Sequence, residues 1–155
     1  MEDKLSETRN AIKNGADEID YVVNLTKLKA GDTAYIESEM ARITDICREF
    51  SVVSKVIFEN CYLTEDEKKT LCHIAAKVKP DFIKTSTGFG TGGATLEDVA
   101  LMKKETEGSG VKIKAAGGIR TLKTALEMIN LGVSRIGSTS SVAIMEEYMA
   151  NSPLL

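Results

Sequence analysis

The segment Val111-Lys112-Ile113-Lys114-Ala115-Ala116-Gly117-Gly118-Ile119-Arg120-Thr121 decides how this chain folds. Val111 to Lys114 alternates apolar and cationic side chains with a period of two, as a strand with two unlike faces does. Two glycines follow closely, and Thr121 stands where a helix would take its N-cap. A strand therefore runs through a glycine turn into a helix.

The same unit recurs on both sides. Ile19 to Val23, Val52 to Phe58, Phe82 to Lys84 and Ser134 to Ile136 also read as strands, short and rich in β-branched residues. Between them lie helical patterns. The clearest covers about 33–49, where Ile36, Met40, Ile43 and Ile46 form an apolar stripe opposite Glu37, Glu39 and Arg42. Thr64 with Glu67 has the capping-box spacing, and Thr95 precedes Glu97 and Asp98 in a first turn, where acids favour the helix dipole. Strand then helix, five times behind an opening helix at about 4–14, predicts parallel strands joined by helical crossovers. The class is α/β. No linker or low-complexity tract divides the chain, and Pro80 and Pro153 fall at boundaries, so residues 1–155 are expected to form a single domain. Periodicity alone allows either a doubly wound sheet or a (β/α) barrel.

Composition narrows the function classes. The 155 residues carry 20 Lys plus Arg against 23 Asp plus Glu, a net charge of −3, which disfavours non-specific binding to nucleic acid. No apolar run is long enough to span a membrane. Cys47, Cys61 and Cys72 match no CxxC spacing and His73 is the single histidine, so a reduced, cytoplasmic protein without a structural metal is expected. Met40, Met102, Met128 and Met145 sit in helical patterns and read as core, His73 as a partly buried helix residue, and Cys72 as an inert core thiol.

The unusual polar residues fall at the carboxyl ends of strands: Asp20 with Asn24, Glu59 with Asn60, Lys84 before Thr85-Ser86-Thr87-Gly88, Lys114 before Gly117-Gly118, and Gly137 before Ser138-Thr139-Ser140. That edge holds the site in parallel α/β folds. All five strands contribute, and the first carries no GxGxxG, which favours the barrel. If Lys84 and Lys114 end neighbouring strands, their ammonium groups repel and one of them is favoured as a neutral, nucleophilic amine, with Asp20 moving protons. Lys112 reads instead as a surface lysine and Glu59 as a supporting hydrogen-bond partner. The glycine turns after the last two strands bring backbone N–H groups and two helix amino termini to one small volume, which suits a phosphate monoester.

Gly15-Ala16-Asp17-Glu18-Ile19-Asp20, Asp81-Phe82-Ile83-Lys84-Thr85-Ser86-Thr87-Gly88 and Lys112-Ile113-Lys114-Ala115-Ala116-Gly117-Gly118-Ile119-Arg120-Thr121 together resemble the deoxyribose-phosphate aldolases, class I aldolases on a TIM barrel. The likeness runs from the first helix to about Met149. It implies reversible cleavage of 2-deoxy-D-ribose 5-phosphate to glyceraldehyde 3-phosphate and acetaldehyde without a cofactor or metal. It implies Lys84 as the Schiff-base lysine, Lys114 as the neighbour whose charge favours its neutral amine, and Asp20 as the proton-shuttling acid. Phosphate contacts are implied from Gly88, Gly117, Gly118, Gly137, Thr139 and Ser140.

The family's barrel has eight strands, and five are read here, so the expected fold is a partial TIM barrel of about five of eight β/α units preceded by a helix. The family's first three strands, with an Asp-His-Thr segment in the first, have no counterpart before Met1. A truncated reading frame, a chain complemented by another polypeptide and an inactive remnant remain open, and the expected partners are a sugar phosphate and either further copies of the chain or a complementing one. Two other functions stand beside the aldolase. One is a sugar-phosphate isomerase using a Glu base, and the other is a sugar-phosphate binding or assembly protein in which Lys84 is dispensable.

Overall fold

Each threonine read as a helix start caps its helix through its own side chain. The Thr64 hydroxyl accepts from the Glu67 amide at 3.3 Å, and the Glu67 carboxylate accepts from the Thr64 amide at 2.7 Å, a complete capping box. Thr95 and Thr121 accept from the amides of Asp98 and Thr124 in the same way. The computed structural model describes residues 1–151, and Pro153 lies outside them.

In chain order the elements are α1 (Glu2–Lys13), β1 (Glu18–Val22), α2 (Leu25–Lys29), α3 (Thr33–Glu49), β2 (Val53–Ile57), a 3-10 turn (Asn60–Tyr62), α4 (Glu65–Val78), β3 (Phe82–Lys84), α5 (Leu96–Glu105), β4 (Lys112–Ala116), α6 (Leu122–Asn130), β5 (Arg135–Gly137) and α7 (Ser141–Asn151). The five strands form one parallel sheet in the order β1-β2-β3-β4-β5. Its register sets Asp20 beside Lys55, Lys55 beside Phe82, and Phe82 beside Lys112. One level higher it sets Lys84 beside Lys114 and Lys114 beside Arg135.

Alternation along the strands sends Val56, Ile83, Ile113 and Ala115 to the helical side, where they are buried with Ile36, Met40, Leu71, Val99, Met102 and Met128. Apart from α2, which leans on α3, each helix packs on the next around that face, from α1 through α7. The opposite face carries Asp20, Lys55, Lys84, Lys114 and Arg135. A doubly wound sheet would have helices on both faces, so the one-sided cover makes this a partial barrel.

Several expectations are corrected. Glu39 does not lie on the exposed face of α3: it is fully buried, accepting from the Lys4 ammonium at 2.9 Å and the Asn24 amide at 3.0 Å, and Lys4 also donates to the Val22 carbonyl at 2.7 Å. This part-buried pair pins α1 and α3 to the end of β1. Met145 is 49% exposed because α7 buries Ile144 and has no neighbour on its far side among the described residues. His73 is exposed on α4, with its Nε2 2.8 Å from the Glu105 carboxylate. Cys72 is buried as expected, and that burial pushes its thiol up to about 12. Helix α2 was absent from the sequence reading.

The long β3–α5 connection is held by close backbone approach. The Ala94 amide donates to the carbonyls of Ala116 and Gly117 at 3.1 and 3.0 Å, and a Cβ on Gly93 would lie 2.3 Å from the Gly117 oxygen. Gly93→Ala is therefore expected to cost about 1–3 kcal/mol. Thermal unfolding should show the midpoint lower by roughly 3–10 °C, and an unchanged midpoint would show that the loop yields freely.

Candidate active site

Because β1, β2 and β3 are parallel and curved, their inward side chains converge on Asp20. Its Oδ2 lies 2.9 Å from the Lys84 ammonium and 4.0 Å from that of Lys114, and its Oδ1 lies 2.8 Å from that of Lys55. The three residues named from sequence as the catalytic group are thus together. Burial pushes the Asp20 carboxyl up, but the hydrogen bonds and charges of Lys55 and Lys84 outweigh it and hold the group below the ordinary aspartate value. Burial first, and then the charge of Lys84, lowers the Lys114 ammonium against the opposing pull of Asp20.

Lys55 was missed. It is 1% exposed, and its ammonium sits between Asp20 and Glu18. The signal was present: one lysine in the run Val52-Val53-Ser54-Lys55-Val56-Ile57-Phe58, apolar but for Ser54 beside it, is costly to bury unless paired. Lys112 is exposed one level below Lys114, with its ammonium 5.7 Å from the centroid of the Phe82 ring.

Next to the lysines the turns after β3, β4 and β5 enclose a cavity of about 420 Å³, lined by Lys84, Lys114, Gly88, Gly117, Gly118, Gly137 and Thr139, with Thr87, Arg120 and Ser138 also on its wall. The amides of Gly88 and Gly118 donate to no group among the described residues, whereas that of Gly117 is taken by the Gly137 carbonyl at 3.3 Å. Ser140 is outside the lining, and its amide donates to the Ser138 hydroxyl at 2.9 Å. Helices α6 and α7 begin at the rim, so their positive ends face this space. Arg120 was not singled out, although its place directly after Gly117-Gly118-Ile119 carries it to the wall.

Glu59 has the supporting place expected of it. Its backbone is left-handed at φ 45°, and its carboxylate accepts from both the amide and the hydroxyl of Thr87, tying the end of β2 to the Thr87-Gly88 turn. Asn24 is not in the site, because its side chain accepts from the Lys27 amide and caps α2. An amine that touches a carboxylate, with a second cation close by and an anion-sized cup opening from both, is equipped to form an imine with a phosphorylated carbonyl compound.

Comparison with known proteins accords with this geometry. Residues 1–139 match the family model described as DeoC/LacD family aldolase. The deoxyribose-phosphate aldolase of Lactobacillus acidophilus is 57% identical over 146 residues, covering 94% of this chain and 61% of that protein. A structure described as "QR15, an Aldolase" superposes with a TM-score of 0.85 at 43% identity, covering 95% of this chain and 65% of that one. The tetrameric deoxyribose phosphate aldolase of Aeropyrum pernix gives a TM-score of 0.84 at 27% identity, with 96% and 62% covered. The chain therefore spans about three fifths of the length of the curated relatives it matches. On the family match and these identities together, the chain belongs to the DeoC/LacD aldolase family.

Proposed function

We propose that this chain carries the catalytic portion of a deoxyribose-phosphate aldolase. The observation that supports this best is the 2.9 Å contact of the Lys84 ammonium with Asp20 at the mouth of the glycine-lined cavity, with Lys114 on the adjoining strand. In the proposed reaction the neutral amine of Lys84 attacks the C1 aldehyde of deoxyribose 5-phosphate, and loss of water leaves a protonated imine. Removal of the C3 hydroxyl proton then breaks the C2–C3 bond. Its electron pair moves into the iminium to give an enamine, and glyceraldehyde 3-phosphate departs. Protonation at C2 and hydrolysis release acetaldehyde and return Lys84. Asp20, with a water molecule, moves these protons.

Gly88, Gly117, Gly118, Gly137, Thr139 and Ser140 are assigned to the phosphate end. Gly88 and Gly118 offer amides that donate to no group among the described residues, Thr139 lies on the cavity wall, and Ser140 is assigned through its turn. The proposed working unit is one incomplete barrel domain over residues 1–155 in a cytoplasmic setting, acting on a sugar phosphate and neither nucleic acid nor membrane. No helix among the described residues is long and apolar enough to cross a membrane. Among the described residues β1 pairs with β2 alone and β5 with β4 alone. These two edges favour a second reading, in which the chain works as an oligomer or with a complementing chain and by itself is a sugar-phosphate binding or assembly protein.

Borohydride with acetaldehyde should reduce the imine and add its mass at Lys84. Peptide mapping that finds no adduct in folded protein, or finds it on another lysine, would overturn the aldolase assignment.

Repulsion between the Lys84 and Lys114 ammonium groups favours loss of one proton from the pair. Lys114→Leu removes that drive, and trapping should slow by at least ~10-fold at pH 7 and much less at pH 10. Equal slowing at both would place Lys114 on the substrate instead.

The solution mass of the purified chain should exceed that of a monomer, or its unfolding midpoint should rise when a polypeptide carrying further β/α units of the barrel is added. A monodisperse monomer that unfolds cooperatively at high temperature would show that five strands suffice.

A further inference from the structure

Beneath Asp20 the inner face carries a second set of ion pairs that the proposed chemistry does not use. One Arg135 nitrogen donates to both Glu18 oxygens, at 2.9 and 2.7 Å, and Glu18 Oε2 also accepts from Lys55 at 2.5 Å. Lys55 reaches on to Asp20 Oδ1 at 2.8 Å. Charges of alternating sign thus run Arg135, Glu18, Lys55, Asp20, Lys84, from β5 across to β1, β2 and β3. The Phe82 ring supports the set, with the Arg135 guanidinium 4.5 Å and the Lys55 ammonium 6.0 Å from its centroid.

The charge balance on this face gives Glu18 its importance. Lys55, Lys84, Lys112, Lys114 and Arg135 line it from β2 to β5, against Glu18 and Asp20 on β1. From α1, Lys4 and Glu7 border the same open side, and Lys4 is engaged by Glu39. If Glu18 were neutral, Lys55 and Arg135 would both turn to Asp20, the remaining carboxylate on the inner face, and compete with Lys84 for it. We infer that Glu18, tied to Arg135, is a positioning residue: it holds Lys55 on the Oδ1 of Asp20, leaving Oδ2 for Lys84 and Lys114. The hydrogen bonds of Arg135 and then Lys55 hold the Glu18 carboxyl down at about 2, so it stays ionised through the neutral range. The inference deepens the aldolase reading and rests on it for its kinetic consequence.

Two readouts on the full chain test it. The first follows the Asp20 carboxyl carbon by NMR as pH is varied. Glu18→Gln removes a negative neighbour and frees two cations, so the Asp20 midpoint should fall by about half a pH unit. Arg135→Met leaves Glu18 uncompensated, and the midpoint should rise by a similar amount. The double variant should return close to the parent. A purely structural pair would shift both single variants in one direction or leave them within about 0.1 of the parent, and either result overturns the inference.

The second readout is the rate of borohydride trapping with acetaldehyde. Glu18→Gln should lower the maximal rate ~10-fold with little change in the half-saturating acetaldehyde concentration, and Arg135→Lys should retain most of the rate. An unchanged maximal rate in Glu18→Gln would overturn the inference. Absence of any Lys84 adduct in the parent chain would sink the aldolase reading instead, with the Asp20 titration still deciding the role of Glu18. If Glu18→Gln does not fold, the rise expected for Arg135→Met decides alone.

Discussion

The contact of Arg135 with Glu18 is possible because the sheet is rolled, and the rest of the site depends on that rolling. Four strand spacings separate β5 from β1, which in a flat sheet is about 19 Å. An arginine and a glutamate cannot bridge such a gap, yet their charged atoms are 2.7 Å apart. Strands of an eight-stranded barrel turn by about 45° each, which sets the first and fifth across the interior from one another and within reach. The same curvature carries Asp20 over β2 to Lys84. In a flat sheet Lys84 and Lys114 would still be neighbours, but no carboxylate would stand between them.

The inner face is richer in cations than the chain as a whole. Five cationic side chains face two carboxylates there, although the whole chain has a net charge of −3. The local field, rather than net charge, sets which ligand is drawn in, and this one suits an anion. Its excess of cations also explains why the site has so many contacts per carboxylate. Asp20 touches three ammonium groups and Glu18 holds one ammonium and one guanidinium, so removal of Asp20 leaves the largely buried Lys84 ammonium without a carboxylate, whereas removal of Glu18 leaves Lys55 with Asp20 alone.

What sequence revealed and what it hid divide along physical lines. Caps are local, and Thr64, Thr95 and Thr121 were read correctly because the capping atoms lie within three residues. Asp20, Lys84 and Lys114 were each read at the carboxyl end of a strand, and the expectation that Lys84 and Lys114 end neighbouring strands is met by the pairing of β3 with β4. Lys55 and Glu18 escaped because their meaning comes from the register of β1 against β2 and from a partner 117 residues away in Arg135. Glu39 was misread for a related reason: its helical position looked polar, but the groups that need it, Lys4 and the Asn24 amide, come from other elements. The Gly93 contact was equally hidden, since a glycine shows where a side chain would not fit only after the opposing Gly117 carbonyl is in place.

The rolled sheet also sets which surfaces lie uncovered among the described residues. Helices α3, α4 and α5 each lie between two others and bury apolar stripes, whereas α7 lies at the end of the row and leaves Val142, Met145, Tyr148 and Met149 exposed. Between α6 and α7 an apolar groove lined by Leu126, Ile129, Met145 and Tyr148 runs up to Ile136 of β5. An edge strand and an apolar helical face thus lie side by side. A further β/α unit would satisfy both at once, its strand taking the edge of β5 that pairs with no strand among the described residues and its helix covering α7. At the other end the groove beside β1 is bordered by Lys4, Glu7, Glu18 and Asp20, so a strand added there would border the proposed catalytic group itself. The two ends therefore differ in kind: cover at β5 bears mainly on stability, whereas cover at β1 also removes water from Asp20 and strengthens every ion pair it makes.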